Sequence, residues 1–309
     1  MTDIATLISL VLSVSLYQSR VTLSKSLDYN RREGLGRPVR VAIIGGGSIA
    51  RLFLEHIRRG DLGRTRVVAI AGHGEHSRGK QLAKAFRVPY VSGLKALLAA
   101  RPDVVVEAAA HDAVREFGEP LLKKGIALIV LSAGALCDDA LRKKLERAAA
   151  KSGALLSVPS GGIGGLDAVK AACVAGVDEV TIAVTKPPAA WKGIPYVEKL
   201  RVDLDGLKEA RVLFEGTARE GVPHFPANVN IAAVLSMAGI GFDRTRLKVV
   251  ADPALRHNTH YIDVKGRTGN INIKLENVPA PDNPKTAWLA CYSALAALKA
   301  LNSPVRYGT

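Results

Sequence analysis

The chain has 309 residues, which is long enough for two domains, and its 48% apolar and 23% charged residues are typical of a globular protein. Its formal net charge is +15, but only 5% of its residues are aromatic and the basic residues are scattered. This pattern argues against a nucleic-acid-binding surface and favours an enzyme with a basic surface and anionic ligands.

Three cysteines, Cys137, Cys173 and Cys291, are widely separated and form no CxxC pair. That spacing argues against a disulfide framework or a zinc site, so no metal is expected. It indicates reduced thiols in a cytoplasmic protein.

Residues 1–36 are interpreted as a dispensable extension or linker. Their apolar stretch, Ile4 to Tyr17, has fourteen residues, which are too few to span a bilayer. Asp3 precedes this stretch, where a signal peptide would carry positive charge. We therefore expect no membrane anchor.

From residue 37 to residue 160 the pattern alternates between short apolar runs and segments with apolar residues at helical spacing, such as Ile49, Leu52 and Phe53. This alternation predicts a Rossmann-type parallel sheet covered by helices on both faces, in a dinucleotide-binding domain. The predicted strands are Val39–Ile44, Val67–Ala71, Val104–Glu107, Ile126–Leu131 and Ala154–Val158. The predicted helices are Ser48–Arg59, Ser77–Phe86, Leu94–Ala100, Ala113–Lys124 and Asp138–Lys151.

After about residue 175 apolar and polar residues alternate, as in Ile271, Ile273 and Leu275, which is typical of half-exposed strands. Residues 161–309 are therefore predicted to form an α+β catalytic domain built on an antiparallel or mixed sheet. The C-terminal helix, 285–302, is expected to pack back on the first domain. The predicted strands are Glu179–Lys186, Leu247–Ala251, His260–Val264 and Asn270–Glu276, with a hairpin loop at 265–269, and the predicted helices are Asn230–Ala238 and Thr286–Leu301.

The segment from Gly45 to Ala50 fits the fingerprint G-x-G-x-x-G/A, and it follows a predicted strand and opens a predicted helix. Gly45 permits a tight turn, and Gly47 lets a pyrophosphate approach the backbone. The helix N-terminus at Ser48 and Ile49 offers free N–H groups to the phosphates. The sequence therefore predicts a site for NAD or NADP, and the alternative is a glycine turn without a ligand.

The end of the second predicted strand lacks the acid that usually holds the ribose hydroxyls of NAD. The strand ends at Ala71; His73, His76 and Arg78 follow, and Glu75 is the nearest carboxylate. An Arg in a loop without that acid tolerates the 2′-phosphate of NADP. We therefore expect NADP+ to be used at least as well as NAD+; the alternative is a solvated loop whose charges contact nothing.

Seven further segments carry a more specific signal through their order and spacing. They resemble the L-aspartate dehydrogenase family from about residue 38 to about residue 302, and the first 36 residues have no counterpart. In chain order the segments are Ser132–Leu136, Val158–Asp167, Thr185–Pro188, Phe225–Asn230, Ala251–Pro253, Asn258–His260 and Asn283–Thr286.

This resemblance implies oxidative deamination of L-aspartate with NAD(P)+, through iminosuccinate to oxaloacetate and ammonia, with a link to NAD biosynthesis through iminosuccinate. Two positions that contact the cofactor in the family correspond to Gly162 and Asn230. The family usually has Ala where Gly162 stands, so the contact there can only be through the backbone. The family's catalytic histidine corresponds to His260.

The chemistry of the reaction supports His260 independently. A proton leaves an ammonium group and a hydride leaves the α-carbon, and histidine is the side chain whose ordinary pKa suits proton acceptance near neutral pH. His257 is a neighbouring candidate. For either residue the alternative is a surface imidazole or a core imidazole with satisfied nitrogens.

A dicarboxylic amino acid also needs cationic or N–H donors for its carboxylates. The candidates are Asn228, Lys186, Lys285 and Thr286, the last two at a predicted helix start that suits an anion. For each of them a solvated charge or a helix cap is the alternative.

The active site is expected in the cleft between the carboxyl ends of the parallel strands and the second domain, in a homo-oligomer such as a dimer. A dihydrodipicolinate-reductase-like enzyme, or another amino-acid or imine reductase, shares this architecture and is the enzymatic alternative. A non-catalytic nucleotide-sensing or nucleic-acid-binding protein is the alternative from another class; it would bind cofactor without turnover, or bind DNA in a salt-dependent way. The phosphate loop together with Asn258–His260 favours an enzyme.

Overall fold

The computed structural model describes residues 37–74, 77–226, 228–280, 283–305 and 307–308, without the side chains of residues 283–286. The predicted extension, residues 1–36, lies outside the described residues, as do Glu75 and His76.

The first sheet has six parallel strands in the order β3-β2-β1-β4-β5-β6, which confirms the predicted Rossmann-type architecture. The carboxyl ends of the central strands lie together, because Ile44 pairs with both Ala71 and Glu107. The short strand β3 was not predicted. The strands are β1 Val39–Ile44, β2 Thr65–Ala71, β3 Tyr90–Val91, β4 Val104–Glu107, β5 Ala127–Val130 and β6 Leu156–Ser157.

Helices cover both faces of this sheet, and their starts follow local capping chemistry. Ser77 is the N-cap of the helix that begins at Arg78, and its side chain accepts a hydrogen bond from the N–H of Lys80. Asp138 is likewise the N-cap of the helix that begins one residue later. These helices are α1 Ser48–Arg59, α2 Arg78–Phe86, α3 Gly93–Ala99, α4 His111–Lys123 and α5 Asp139–Ser152, with a 3₁₀ turn at Ala133–Cys137.

The second sheet has five strands in the order β11-β10-β7-β9-β8 and is mixed, because β7 and β9 are parallel while the other neighbours are antiparallel. Ile271, Ile273 and Leu275 are half-buried on one face of β11, as predicted. The edge strand β8 was not predicted. The strands are β7 Val177–Lys186, β8 Arg211–Thr217, β9 Thr245–Ala251, β10 Asn258–Gly266 and β11 Gly269–Asn277.

Apolar helices pack against this sheet. Residues 231–236 of one of them are all buried, because the helix is apolar around its whole circumference. The helices are α6 Leu166–Ala175, α7 Pro195–Lys199, α8 Ala218–Gly221 and α9 Asn230–Ala238, with 3₁₀ turns at Pro188–Trp191 and Val222–His224.

The C-terminal segment corrects one prediction. Residues 285–287, which were expected to open the last helix, belong to strand β13 (Asn283–Ala287), which pairs with β12 (Pro279–Ala280). The pairing holds the backbone extended as far as Ala287, so helix α10 spans Trp288–Leu301. Its side chains Ala294, Leu295 and Leu298 are buried in the core beneath the first sheet.

No helix in the described part of the chain is long and apolar enough to cross a membrane.

Candidate active site

A cavity of about 1140 Å³ lies between the carboxyl edge of the first sheet and the second sheet. Both halves of the predicted site contribute to its walls, although they are far apart in sequence. The predicted residues that line it are Gly45, Gly47, Ser48, Ile49, Gly162, Lys186, Asn228, Asn230 and His260.

The phosphate loop has the geometry that a pyrophosphate requires. Gly45 has a φ of 114°, and a Cβ there would collide with the carbonyl oxygen of Ala108, so only glycine fits the turn. A Cβ on Gly47 would instead point into open space, with nothing within 4 Å. No side chain caps the N-terminus of α1, so its first N–H groups are free for phosphate oxygens. The loop therefore fits a dinucleotide.

Two guanidinium groups flank this loop. Arg51 and Arg78 line a second cavity of about 370 Å³, together with Gly46, Gly47 and Ser48. Described residues 71–74, at the end of β2, contain no carboxylate. The structure therefore places two cations, one of them predicted, where the adenosine ribose of a bound dinucleotide is expected.

His260 lies on β10 and is only 2% exposed. Burial, and then the positive charge of Lys186, lower the pKa of His260 to about 3, so the imidazole is uncharged at neutral pH. Its Nδ1 has no hydrogen-bond partner among the described residues. His257, the alternative candidate, is exposed and does not line the cavity.

Lys186 ends β7 and is 3% exposed. Its Nζ donates to Oδ1 of Asn228 at 3.2 Å and lies 5.1 Å from the ring centre of Trp191. Burial lowers the pKa of Lys186 to about 8. Burial is the only cause of this shift, and no carboxylate contributes to it, so among the described residues this buried cation has no anionic partner.

A row of buried polar side chains crosses the second sheet beside Lys186. Thr259 pairs with Thr185, which places Asn258 opposite Lys186, and Asn258 in turn pairs with Asn277. Nδ2 of Asn277 donates to the carbonyl of Gly162 at 2.9 Å. Asn258 was noted in the sequence only as the first residue of the segment Asn258–His260, without a role of its own, and Asn277 was not singled out. The period of two along a strand places Asn258 on the same face as His260 and was a usable signal.

Asn230 and Gly162 both line the cavity. Oδ1 of Asn230 accepts a hydrogen bond from the N–H of Gly134 at 2.8 Å, which joins the start of α9 to the turn after β5. A Cβ on Gly162 would stand 3.9 Å from Nε2 of His260. The backbone of Gly162 therefore approaches the imidazole directly.

Two further residues at the carboxyl edge of the first sheet were missed by sequence reasoning. His111 begins α4 and lines the cavity, and burial lowers its pKa. Glu107 ends β4; its buried carboxylate accepts hydrogen bonds from Ala109 and Ser132, and burial raises its pKa. Glu107 thereby ties together the loops after β4 and β5. Glu107 is the last residue of β4 and His111 follows it closely, and this position at the carboxyl end of a parallel strand could have revealed them.

The side chains of Lys285 and Thr286 lie outside the described part of the structure. Their backbone belongs to β13, so they do not lie at a helix start as predicted, and their role in substrate binding stays a prediction.

Comparison with known proteins identifies the chain's relatives. A family described as homoserine dehydrogenase, NAD-binding domain, matches residues 45–159, and the family aspartate dehydrogenase, C-terminal, matches residues 167–301. L-aspartate dehydrogenase of Methanosarcina mazei is 41% identical over 273 residues, which are 88% of this chain and all of that protein. The chain belongs to the L-aspartate dehydrogenase family.

Other relatives agree. L-aspartate dehydrogenase 2 of Bordetella pertussis is 48% identical over 70% of this chain and 80% of its own length. The crystal structure of aspartate dehydrogenase from Thermotoga maritima has a TM-score of 0.66 and 28% identity, and covers 87% of this chain and 99% of that one. Membership in the L-aspartate dehydrogenase family makes the chain an oxidoreductase that uses NAD or NADP.

Proposed function

We propose that the protein catalyses the oxidative deamination of L-aspartate with NAD(P)+, to iminosuccinate and then, with water, to oxaloacetate and ammonia. The observation that carries this proposal is the buried cation of Lys186, which has no anionic partner among the described residues. It lies in the same cavity as the phosphate loop and the neutral imidazole of His260. An anionic substrate with a removable proton suits this combination.

The first element of the proposal is a carboxylate-binding role for Lys186. A buried charge is costly unless an opposite charge compensates it. Asn228 supplies only a neutral oxygen, at 3.2 Å. A carboxylate of L-aspartate provides the missing charge, which supports a dicarboxylic amino acid as the substrate.

The second element is His260 as the proton acceptor. The imidazole is neutral, so it can take a proton from the substrate ammonium group. The pKa of about 3 in the free protein reflects burial and the neighbouring charge of Lys186. A bound carboxylate offsets that charge and raises the pKa of His260, so the base becomes stronger when substrate is present.

The third element is the cofactor, which accepts the hydride from the α-carbon when it is bound. Gly45, Gly47, Ser48 and Ile49 would hold its pyrophosphate through backbone N–H groups. Gly162, through its backbone, and the amide of Asn230 would contact its nicotinamide half. This arrangement leaves the proton acceptor and the phosphate-binding loop on different sheets.

Iminosuccinate is the product of the hydride and proton removal, before water adds. Release of this intermediate would feed biosynthesis of the nicotinamide ring, and this link is part of the proposal.

We also propose a division into a dinucleotide-binding domain, residues 37–160, and a catalytic domain, residues 161–309. The protein would act in the cytoplasm as a homodimer, without binding nucleic acid. Three exposed apolar side chains lie together around the start of α10: Val278, Trp288 and Tyr292. The N–H of Trp288 donates to the carbonyl of Val278, and the Trp288 and Tyr292 rings lie 5.8 Å apart. This exposed apolar patch supports a dimer. Analytical ultracentrifugation of the full chain tests the oligomeric state.

A substrate comparison tests the activity. Purified full-length protein is mixed with NAD+ or NADP+ and with L-aspartate, D-aspartate, L-glutamate or L-asparagine, and the reduced cofactor is followed by absorbance. We expect turnover with L-aspartate well above that with the other three. Equal or greater turnover with L-glutamate, or none with L-aspartate, would refute the proposal and leave a different reductase.

A further inference from the structure

Asn258 is a buried polar side chain in the cavity with an unused hydrogen-bond donor. It is 2% exposed and lines the cavity. Its Nδ2 has no hydrogen-bond partner among the described residues. A buried N–H group without an acceptor is costly, so native structures rarely leave one unpaired unless a ligand or water completes it.

The neighbours of Asn258 already have partners that limit where its own partner can lie. On one side Asn277 donates to the carbonyl of Gly162 at 2.9 Å. On the other side Lys186 donates to Asn228 and has further N–H groups to offer. The unused N–H donor of Asn258 therefore lies at the cavity wall, between the amide of Asn277, which already has an acceptor, and the buried ammonium group of Lys186.

The strand register sets the distances. Thr259 pairs with Thr185, and continuing this register by one residue places Asn258 opposite Lys186. Side chains at directly opposite positions have Cβ atoms roughly 5 Å apart. Both donors can therefore reach the two oxygens of one carboxylate. Along β10, Asn258 is two residues before His260 on the same face, roughly 7 Å away. This distance suits a substrate whose ammonium group lies at His260 and whose carboxylate lies at Asn258.

We propose that Asn258 is a specificity-determining residue whose amide N–H donates to one oxygen of the substrate carboxylate, while the other oxygen meets Nζ of Lys186. The inference rests on the proposed function, because it assigns a residue to the recognition of the same dicarboxylate. Two donors facing one group match a carboxylate, which only accepts hydrogen bonds.

This geometry has a consequence for selectivity. A carboxamide in the same place would turn its NH₂ toward one of the two donors and leave that donor unpaired. Sites that pair every buried polar group discriminate strongly against a ligand that leaves one unsatisfied. Asn258 and Lys186 together would therefore favour a carboxylate over a carboxamide.

The test is calorimetric titration of the full-length protein, saturated with NAD+, with succinate and with its neutral diamide, succinamide. Neither compound has an amino group to be oxidised. Asn258→Leu removes the donor with little change in volume, and we expect succinate affinity to fall at least tenfold. Asn258→Asp replaces the donor with an acceptor, and we expect the ratio of succinate to succinamide affinity to fall at least a hundredfold. Asn270→Leu and Asn270→Asp, on the exposed end of β11, are the matched controls.

A purely structural role for Asn258 predicts that both ligands weaken equally and that the ratio stays at the wild-type value in folded Asn258→Asp; that result would overturn the inference. Thermal unfolding and NAD+ affinity establish that each variant is folded. The wild-type reaction separates the two proposals. If L-aspartate is oxidised but the ratio does not change, the assignment of Asn258 is wrong and the function stands. If the ratio changes without L-aspartate turnover, the carboxylate site stands and the function is wrong.

Discussion

Lys186 and His260 lie on neighbouring antiparallel strands, both almost fully buried, and the charge of Lys186 helps to hold the pKa of His260 at about 3. The register places them one diagonal step apart on the same face of the sheet. In the free protein the charge of Lys186 therefore adds to burial in weakening His260 as a base. Under the proposed function, a substrate carboxylate bound at Lys186 would relieve the effect of that charge.

Removing the charge of Lys186 should strengthen the base in the free protein. In Lys186→Met we expect the pKa of His260 to rise, because the imidazolium no longer faces a positive charge, but to stay below its ordinary range because burial persists. An NMR titration of the His260 ring measures it. Lys192→Met, which removes an exposed ion pair with Asp205, should leave the titration unchanged. An unchanged pKa in Lys186→Met would contradict the coupling.

Carboxylate binding should depend on the proton of Lys186. Burial lowers the pKa of this lysine to about 8, so in the free protein it is charged below that pH and neutral above it. Succinate affinity should therefore decline as the pH rises through about 8. Calorimetry at a series of pH values would show this decline in the wild type and a flatter profile in Lys186→Met.

Loss of the proton acceptor should slow the chemical step without loosening the cofactor. We expect His260→Ala to lower kcat by roughly 10²–10⁴-fold, the usual contribution of a general acid–base group. Cofactor affinity should persist, because residues 45–49, and not His260, are proposed to hold the phosphates. His257→Ala is the control, since this side chain is exposed. If His257→Ala lost activity while His260→Ala stayed active, the proton acceptor would be His257 and the assignment of His260 would be wrong.

The phosphate loop offers two glycines with different constraints. Gly47→Val should fold normally and lose cofactor binding, because its side chain would enter the open space that the pyrophosphate needs. Gly45→Val should instead destabilise the fold, since its φ is 114° and its Cβ would collide with Ala108. Thermal unfolding and calorimetric titration with the cofactor separate the two effects. Wild-type affinity in Gly47→Val would mean that the loop is not the cofactor site.

The same loop bears on the choice of cofactor. We expect kcat/KM with NADP+ to equal or exceed that with NAD+, because Arg51 and Arg78 lie beside the loop and residues 71–74 lack an acid. Arg78→Ser should reduce NADP+ affinity more than NAD+ affinity, whereas Arg66→Ser, on an exposed position of β2, should change neither. A strong wild-type preference for NAD+ would assign the ribose to an acid such as Glu75.

Sequence periodicity predicted the parallel sheet well because buried strands and amphipathic helices leave distinct patterns. β1 and α1 were predicted to the residue. β3, with two residues, and the edge strand β8 carry too little buried apolar surface to leave such a pattern. The start of α10 was misplaced because the apolar run after residue 286 gives no sign of the pairing between β12 and β13, which keeps the backbone extended as far as Ala287.

In the candidate site, too, the sequence predicted residues that belong to local motifs and missed one whose role depends on a long-range contact. The sequence predicted Gly45, Gly47 and His260 because their motifs either constrain a local conformation or carry a titratable group. Asn277 was not, since its role arises from a hydrogen bond to Gly162, 115 positions away in sequence.

The packing of α10 fixes the order in which the molecule can be completed during its synthesis. Ala294, Leu295 and Leu298 fill the core beneath Val41 and Ile43 of the first strand. The N-terminal half of a chain usually folds as it leaves the ribosome. Here the core beneath the first sheet stays open until α10 has been translated. A chain cut short before residue 294 would therefore leave this face of β1 uncovered, and it would be exposed to chaperones and proteases.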